Sequence, residues 1–167
     1  MQVLINDSTN LYVNDDTPNA ESHYRARFYF DPNSLSMTDG SAQYIFSGYD
    51  ASAVFQVDFR FSAGSYQIRL RQYNDSGSVS STNWATISDA PHSIEVEWRA
   101  ATAAGANDGT VTLWINGVPS GNLTGVDNDT RRINSVKLGA VSGIDAGTLG
   151  TYFMDAFESR RQTYIGP

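Results

Sequence analysis

Residues 53–73 read AVFQVDFRFSAGSYQIRLRQY, and this stretch decides the fold. From Ala53 to Phe61, Phe55, Val57, Phe59 and Phe61 alternate with Gln56, Asp58 and Arg60, so one side of an extended chain is apolar and the other polar. Ala63-Gly64-Ser65 follows as a turn. From Tyr66 to Tyr73 the alternation resumes, with Tyr66, Ile68 and Leu70 set against Gln67, Arg69 and Arg71. Two strands of period 2 joined by a tight turn predict an antiparallel hairpin with one buried face.

The same pattern extends in both directions. Ser22 to Phe30 places Tyr24, Ala26, Phe28 and Phe30 inward and Arg25, Arg27 and Tyr29 outward, and Asp31-Pro32-Asn33 ends it. His92 to Arg99 opposes Ile94, Val96 and Trp98 to Glu95, Glu97 and Arg99. Thr110 to Asn116 alternates Val111, Leu113 and Ile115 with Thr112 and Trp114, then meets Asn116-Gly117, a strong two-residue hairpin signal. Ser135 to Val141 and Thr151 to Ser159 add strands separated by a Gly-containing loop, and VLI, LYV, Gln43 to Phe46 and the residues around Ile165 complete a set of about ten to twelve. No stretch of ten residues has a helical period, and no fixed-period repeat points to a propeller or solenoid. Strands with one apolar face need one covering layer, which predicts an all-β, two-sheet antiparallel sandwich formed by residues 1–167 as a single domain.

Composition narrows the function. Fourteen Asp against four Glu favour turns over helices, and ten Arg with the single Lys137 leave a net charge of -7. That balance excludes a nucleic-acid partner, and no apolar run is long enough to insert in a membrane as a helix. The lack of cysteine removes thiol catalysis and Cys-ligated zinc. His23 and His92 are the only histidines; neither stands in a nucleophile-elbow or HExxH context, and His92, after Pro91, reads as an exposed turn residue. Glu95-Val96-Glu97 puts two carboxylates on one strand face, but Arg99 follows them there. They read as a solvated face forming cross-strand ion pairs with Arg60, Arg69 or Arg71. The chain is therefore expected not to be an enzyme.

Oxygen-rich turns at Asp15-Asp16 and at Asp127-Asn128-Asp129-Thr130 are candidate calcium ligands, because calcium takes carboxylate, amide and carbonyl oxygens. Asp155 interrupts the apolar run TYFMDAF, which predicts a partly buried carboxylate needing a cation or an arginine. Trp84, in the polar segment SSTNWAT, either plugs an end of the sandwich or offers a ligand platform. The outward set of Tyr29, Arg25, Arg27, Arg69, Arg71, Tyr73 and Trp114, with Trp84, forms the candidate ligand-binding residues.

Pro18-Asn19-Ala20-Glu21, YRARFYFDPNS at 24–34, SIEVEWRA at 93–100, TLWINGVPSGNLTG at 112–125, VKLGAVSGID at 136–145 and the ending GTYFMDAFESRRQTYIGP resemble a concanavalin A-like lectin/glucanase (laminin G-like) jelly-roll domain of bacterial secreted or surface proteins. The resemblance implies a jelly roll, an extracellular or cell-surface location and a non-catalytic lectin-like or carbohydrate-binding role toward a polysaccharide or cell-surface glycan. It also implies a structural calcium partnered by Asp155 and by an opening strand that this sequence lacks. The alternative is an adhesive subunit that self-associates through its β edges, since an unfilled edge accepts a strand from a neighbour.

Overall fold

The computed structural model describes residues 1–160 and 163–166. They form thirteen strands and no helix: β1 (Gln2–Ile5), β2 (Leu11–Asp15), β3 (His23–Asp31), β4 (Ala42–Tyr49), β5 (Ala53–Ser62), β6 (Ser65–Tyr73), β7 (Val79–Ser81), β8 (Ala85–Ile87), β9 (His92–Arg99), β10 (Gly109–Ile115), β11 (Val118–Val126), β12 (Ser135–Ser142) and β13 (Gly150–Arg160). A six-stranded sheet has the order β1-β13-β3-β9-β10-β11, and a seven-stranded sheet has the order β2-β12-β4-β5-β6-β7 with β8 also paired to β6. Every pairing is antiparallel, so the predicted two-sheet sandwich is the architecture observed.

The alternation dictates the core. Tyr24, Phe28, Phe30, Ile94, Val96 and Trp98 of the six-stranded sheet meet Phe46, Phe55, Val57, Phe59, Ile68 and Leu70 of the seven-stranded sheet, all fully buried. Their rings interlock across the gap, with centroid separations of 4.7 Å for Phe30–Phe59 and 5.3 Å for Phe28–Phe46. One polar contact crosses the same space: the Trp98 indole N–H donates to Gln72 Oε1 at 2.9 Å, which satisfies a group that would be costly to bury alone.

Two tight turns fix the register. Asn116 and Gly117 both have positive φ (53° and 75°), the geometry that two-residue hairpins favour. Ala63 and Gly64 adopt the same arrangement between β5 and β6 (51° and 80°), although alanine carries a Cβ penalty there.

Three expectations need correcting. Residues 164–166 form no strand; they cross the outer face of the six-stranded sheet as irregular chain. His92 is buried, not an exposed turn residue, because the β10–β11 turn folds over it: Asn116 Nδ2 is 2.9 Å from its Nδ1, and Ser88 Oγ is 3.0 Å from its Nε2. Asp155 is exposed, with Tyr152 and Met154 taking the inward positions of β13.

Candidate functional site

The outer face of the seven-stranded sheet is built from the polar halves of its strands. Gln56, Asp58 and Arg60 of β5 stand directly opposite Arg71, Arg69 and Gln67 of β6. On the other side of β5, Tyr44 faces Asp58 and Ser47 faces Gln56, and Lys137 of β12 faces Ser47. The pairings therefore align Lys137, Ser47, Gln56 and Arg71 in one row across four strands.

The polar side chains around the Gln56–Arg71 end of the row are held by hydrogen bonds. Asp58, fully buried on the floor, accepts through Oδ2 from Arg69 Nε at 2.7 Å and from Arg71 Nε at 3.0 Å. Burial pushes its carboxyl above the ordinary value, and the two guanidiniums oppose that push. Arg71 Nη1 donates to the Tyr44 hydroxyl at 3.1 Å, the Tyr73 hydroxyl donates to Gln56 Oε1 at 2.6 Å, and Arg60 Nε donates to Gln67 Oε1 at 2.8 Å. Trp84, half-buried beside β6, lies against two of these cations, with Arg60 and Arg69 4.0 and 4.3 Å from its ring centre. It is neither a core plug nor a free platform; its indole buttresses two arginines. At the other end of the row, Lys137 Nζ stands 4.5 Å from the Tyr12 ring and 4.8 Å from the Tyr49 ring.

The opposite outer face is closed. Arg25 bridges Glu95 at 3.1 Å and Glu97 at 2.8 Å, with its guanidinium 4.6 Å from the Trp114 ring and 5.2 Å from the Tyr164 ring. The backbone N–H groups of Ile165 and Gly166 donate to the two Glu95 oxygens at 3.1 Å each, and Arg27 Nη1 donates to Gly166 O at 2.6 Å while resting against Tyr29. Glu97 also takes Arg99 Nη2 at 2.7 Å and His23 Nε2 at 2.6 Å. Burial pushes the Glu97 carboxyl up, but the hydrogen bonds of Arg25, Arg99 and His23 outweigh it and hold the group at about 2.

Glu95 and Glu97 are thus buried and not a solvated face, and their partners are Arg25 and Arg99, not Arg60, Arg69 or Arg71. The reason is topological: β3 is the neighbour of β9 in its own sheet, whereas β5 and β6 belong to the other one. The candidate binding residues divide accordingly. Arg69, Arg71, Tyr73 and Trp84 meet on the seven-stranded face; Arg25, Arg27, Tyr29 and Trp114 lie on the six-stranded face. Sequence reasoning missed Tyr44, Gln56, Asp58, Arg60 and Lys137 as members of one site. For β5 the signal was available, since its outward residues oppose those of β6 across a predicted hairpin.

The oxygen donors also separate. Asp127 and Asp129 come together with Asp75 of the β6–β7 loop, with one carboxylate oxygen of each within 4.8 Å of the others. Desolvation and the charges of Asp75 and Asp127 hold the Asp129 carboxyl above its usual value. An all-carboxylate set suits a hard cation such as calcium. Asp155 is not in this cluster; its Oδ1 accepts from its neighbour Ala156 N–H at 2.8 Å.

No protein-family model and no curated protein matches the sequence. Solved structures do resemble the fold. The botulinum neurotoxin serotype G binding domain superposes with a TM-score of 0.62 over 98% of this chain at 11% identity, and the chain spans 40% of that structure. An endo-β-1,4-glucuronan lyase from the fungus Trichoderma reesei gives 0.64 over 96% of this chain and 79% of its own length at 14% identity. The polysaccharide lyase family 18 structure aly-SJ02 r-CATD gives 0.52 over 87% and 74% at 14% identity. At these identities the likeness fixes the fold, a β-sandwich jelly roll consistent with the concanavalin A-like class.

Proposed function

We propose that the chain is a non-catalytic carbohydrate-binding module of a secreted or cell-surface protein, and that the outer face of its seven-stranded sheet takes the glycan. The observation that carries this reading is the preorganised polar surface of that face, where Arg71 is bonded to Asp58 and Tyr44, and Tyr73 to Gln56, so that these side chains lose little freedom on meeting a ligand. Half-buried tyrosines beside guanidiniums and amides are a composition suited to sugar rings and their hydroxyls. The solved relatives include a toxin binding domain and two polysaccharide lyases, which is compatible with a glycan partner.

The non-catalytic part rests on two supports. Glu95 and Glu97 are bound to one guanidinium beneath residues 164–166, which leaves no free acid and base to flank a glycosidic bond. On the open face Asp58 is the lone carboxylate of β4, β5, β6 and β12, and burial pushes the Tyr44 hydroxyl up, away from a role as base.

Retention on immobilised polysaccharides tests the proposal. Wild type should be retarded by at least one polymer without shortening it, and Tyr73→Ala combined with Trp84→Ala should lose the retardation while keeping its melting temperature within a few degrees. Retention unchanged in the double variant would overturn the assignment of this face.

Edge exposure favours a second reading, self-association. Leu4 of β1 is 51% exposed and Val13 of β2 is 58% exposed, and both strands are outermost in their sheets beside an apolar cavity of about 260 Å³ lined by Met1, Val13, Val136, Leu138 and Phe157. Edges of this kind pair with other chains unless blunted by charge. A strict monomer by light scattering at high concentration would remove it. Structural calcium, in this proposal, belongs to Asp75, Asp127 and Asp129.

A further inference from the structure

The charges on the seven-stranded face point to a ligand class. We infer that this face binds an acidic polysaccharide, a polymer of uronic acid units whose carboxylates are read by Arg60, Arg69, Arg71 and Lys137; the inference rests on the face being the glycan site.

The protein as a whole carries a net charge of -7, yet four of its eleven basic side chains gather here. Asp58 is the only carboxylate on β4 to β8 and β12, and it is buried under two of them. A neutral glycan needs no such excess. An anion does, because the nearest compensating charge is spent on the floor of the site.

Geometry sharpens the class to a carboxylate. Arg69 and Arg71 are each pinned through Nε by Asp58, and Arg60 through Nε by Gln67. A guanidinium held by Nε presents its terminal N–H groups outward, and paired N–H groups in one plane match the two oxygens of a carboxylate. Arg71 spends one terminal nitrogen on Tyr44, whereas among the described residues no acceptor takes those of Arg60 and Arg69. Arg60 and Arg69 are further locked in orientation by the Trp84 ring.

Spacing gives the direction of the polymer. Lys137 and Arg71 end the same cross-strand row, three strand spacings or about 14 Å apart, so the chain would lie across the strands with successive acidic groups reaching the two ends. The Tyr44 hydroxyl meets Arg71 and the Tyr73 hydroxyl meets Gln56, so both rings border the row, where sugar rings would sit. A nucleic acid is the poorer match: four cations on a strongly negative protein supply little of the phosphate attraction on which such binding depends.

The test is calorimetry and affinity electrophoresis of the full chain against polygalacturonate, the same polymer with its carboxyls reduced to alcohols, a neutral β-1,4-glucan and single-stranded DNA. Arg60→Gln and Lys137→Ala spare the Asp58 pairs and so should fold; Arg71→Lys keeps the charge but loses the fork; Val118→Ser on the far edge of the other sheet is the control. Expected is binding to polygalacturonate that falls at least tenfold on carboxyl reduction and about tenfold in Arg60→Gln, Lys137→Ala and Arg71→Lys, but not in Val118→Ser. Equal binding of the native and reduced polymers, abolished by the same variants, would overturn the acidic class while leaving the glycan site standing. Binding to DNA as tight as to polygalacturonate would overturn it in favour of a general polyanion surface. Binding to none of the polymers would overturn both readings.

Discussion

Replacing Glu97 by Gln isolates the charge network on the closed face. The carboxyl is held at about 2 against an ordinary 4.5, and with about 1.4 kcal/mol per unit this corresponds to about 3 kcal/mol of stability. Arg99, one of the three donors, has a side chain 53% exposed, so solvent screening reduces the figure to about 2 kcal/mol. The sign follows from the depressed value: the contribution is complete above pH 4.5 and is lost as pH falls through about 2. Urea unfolding of wild type and Glu97→Gln at pH 5, 4, 3 and 2 should therefore show wild type ahead at pH 5 and the gap shrinking by about 2 kcal/mol at pH 2. His23 faces Glu97, and burial holds its imidazole below the ordinary value. A parallel pair carrying His23→Gln removes that second titration from the comparison. A gap that stays constant from pH 5 to pH 2 would refute the account of Glu97 as a carboxylate stabilised by its ionised form.

Three more outcomes are expected. Trp98→Phe removes the donor to Gln72 and should cost about 2 kcal/mol in urea unfolding, whereas an unchanged midpoint would show that the amide is satisfied in another way. Ala63→Asn places at φ 51° a residue whose side chain can hydrogen-bond locally in the left-handed region, and it should raise stability by about 0.5 kcal/mol, measured by the melting temperature; a decrease would refute that gain. Millimolar calcium should raise the melting temperature of wild type and not of Asp129→Asn, and a response equal in both would remove calcium from the Asp75–Asp127–Asp129 cluster.

Period-2 alternation made the sandwich legible because each strand reports its own buried face. Phe55 to Phe61 and Tyr66 to Leu70 could be oriented without any knowledge of neighbours. The short β7 and β8 were not legible, since three residues hold no period and Val79 is exposed. Alternation also says in or out, never which sheet, and this is why Glu95 and Glu97 were matched to arginines that lie on the far side of the molecule. Asp155 misled for another reason. Phe153 is 40% exposed, so TYFMDAF looks more apolar than the strand is, and the bulge between Asp155 and Glu158, with Ala156 at φ 48°, turns Phe157 inward against Phe46. The site on the seven-stranded face was half legible: Arg69, Arg71 and Tyr73 stood out, while Lys137 needed the crossover that sets β12 beside β4.

That crossover has a consequence for how the chain is made. β13 lies between β1 and β3, and β12 lies between β2 and β4, so the first two strands of the sandwich meet their sheets only through its last two. During vectorial synthesis β1 and β2 have no partner, and the facing edges of β3 and β4 stay open until β12 and β13 have emerged. Loss of the C-terminal third would therefore strand the N-terminal segment as well, although the two are remote in sequence. Translation slowed ahead of β12 and β13 would prolong the interval in which unpaired edges can find other chains.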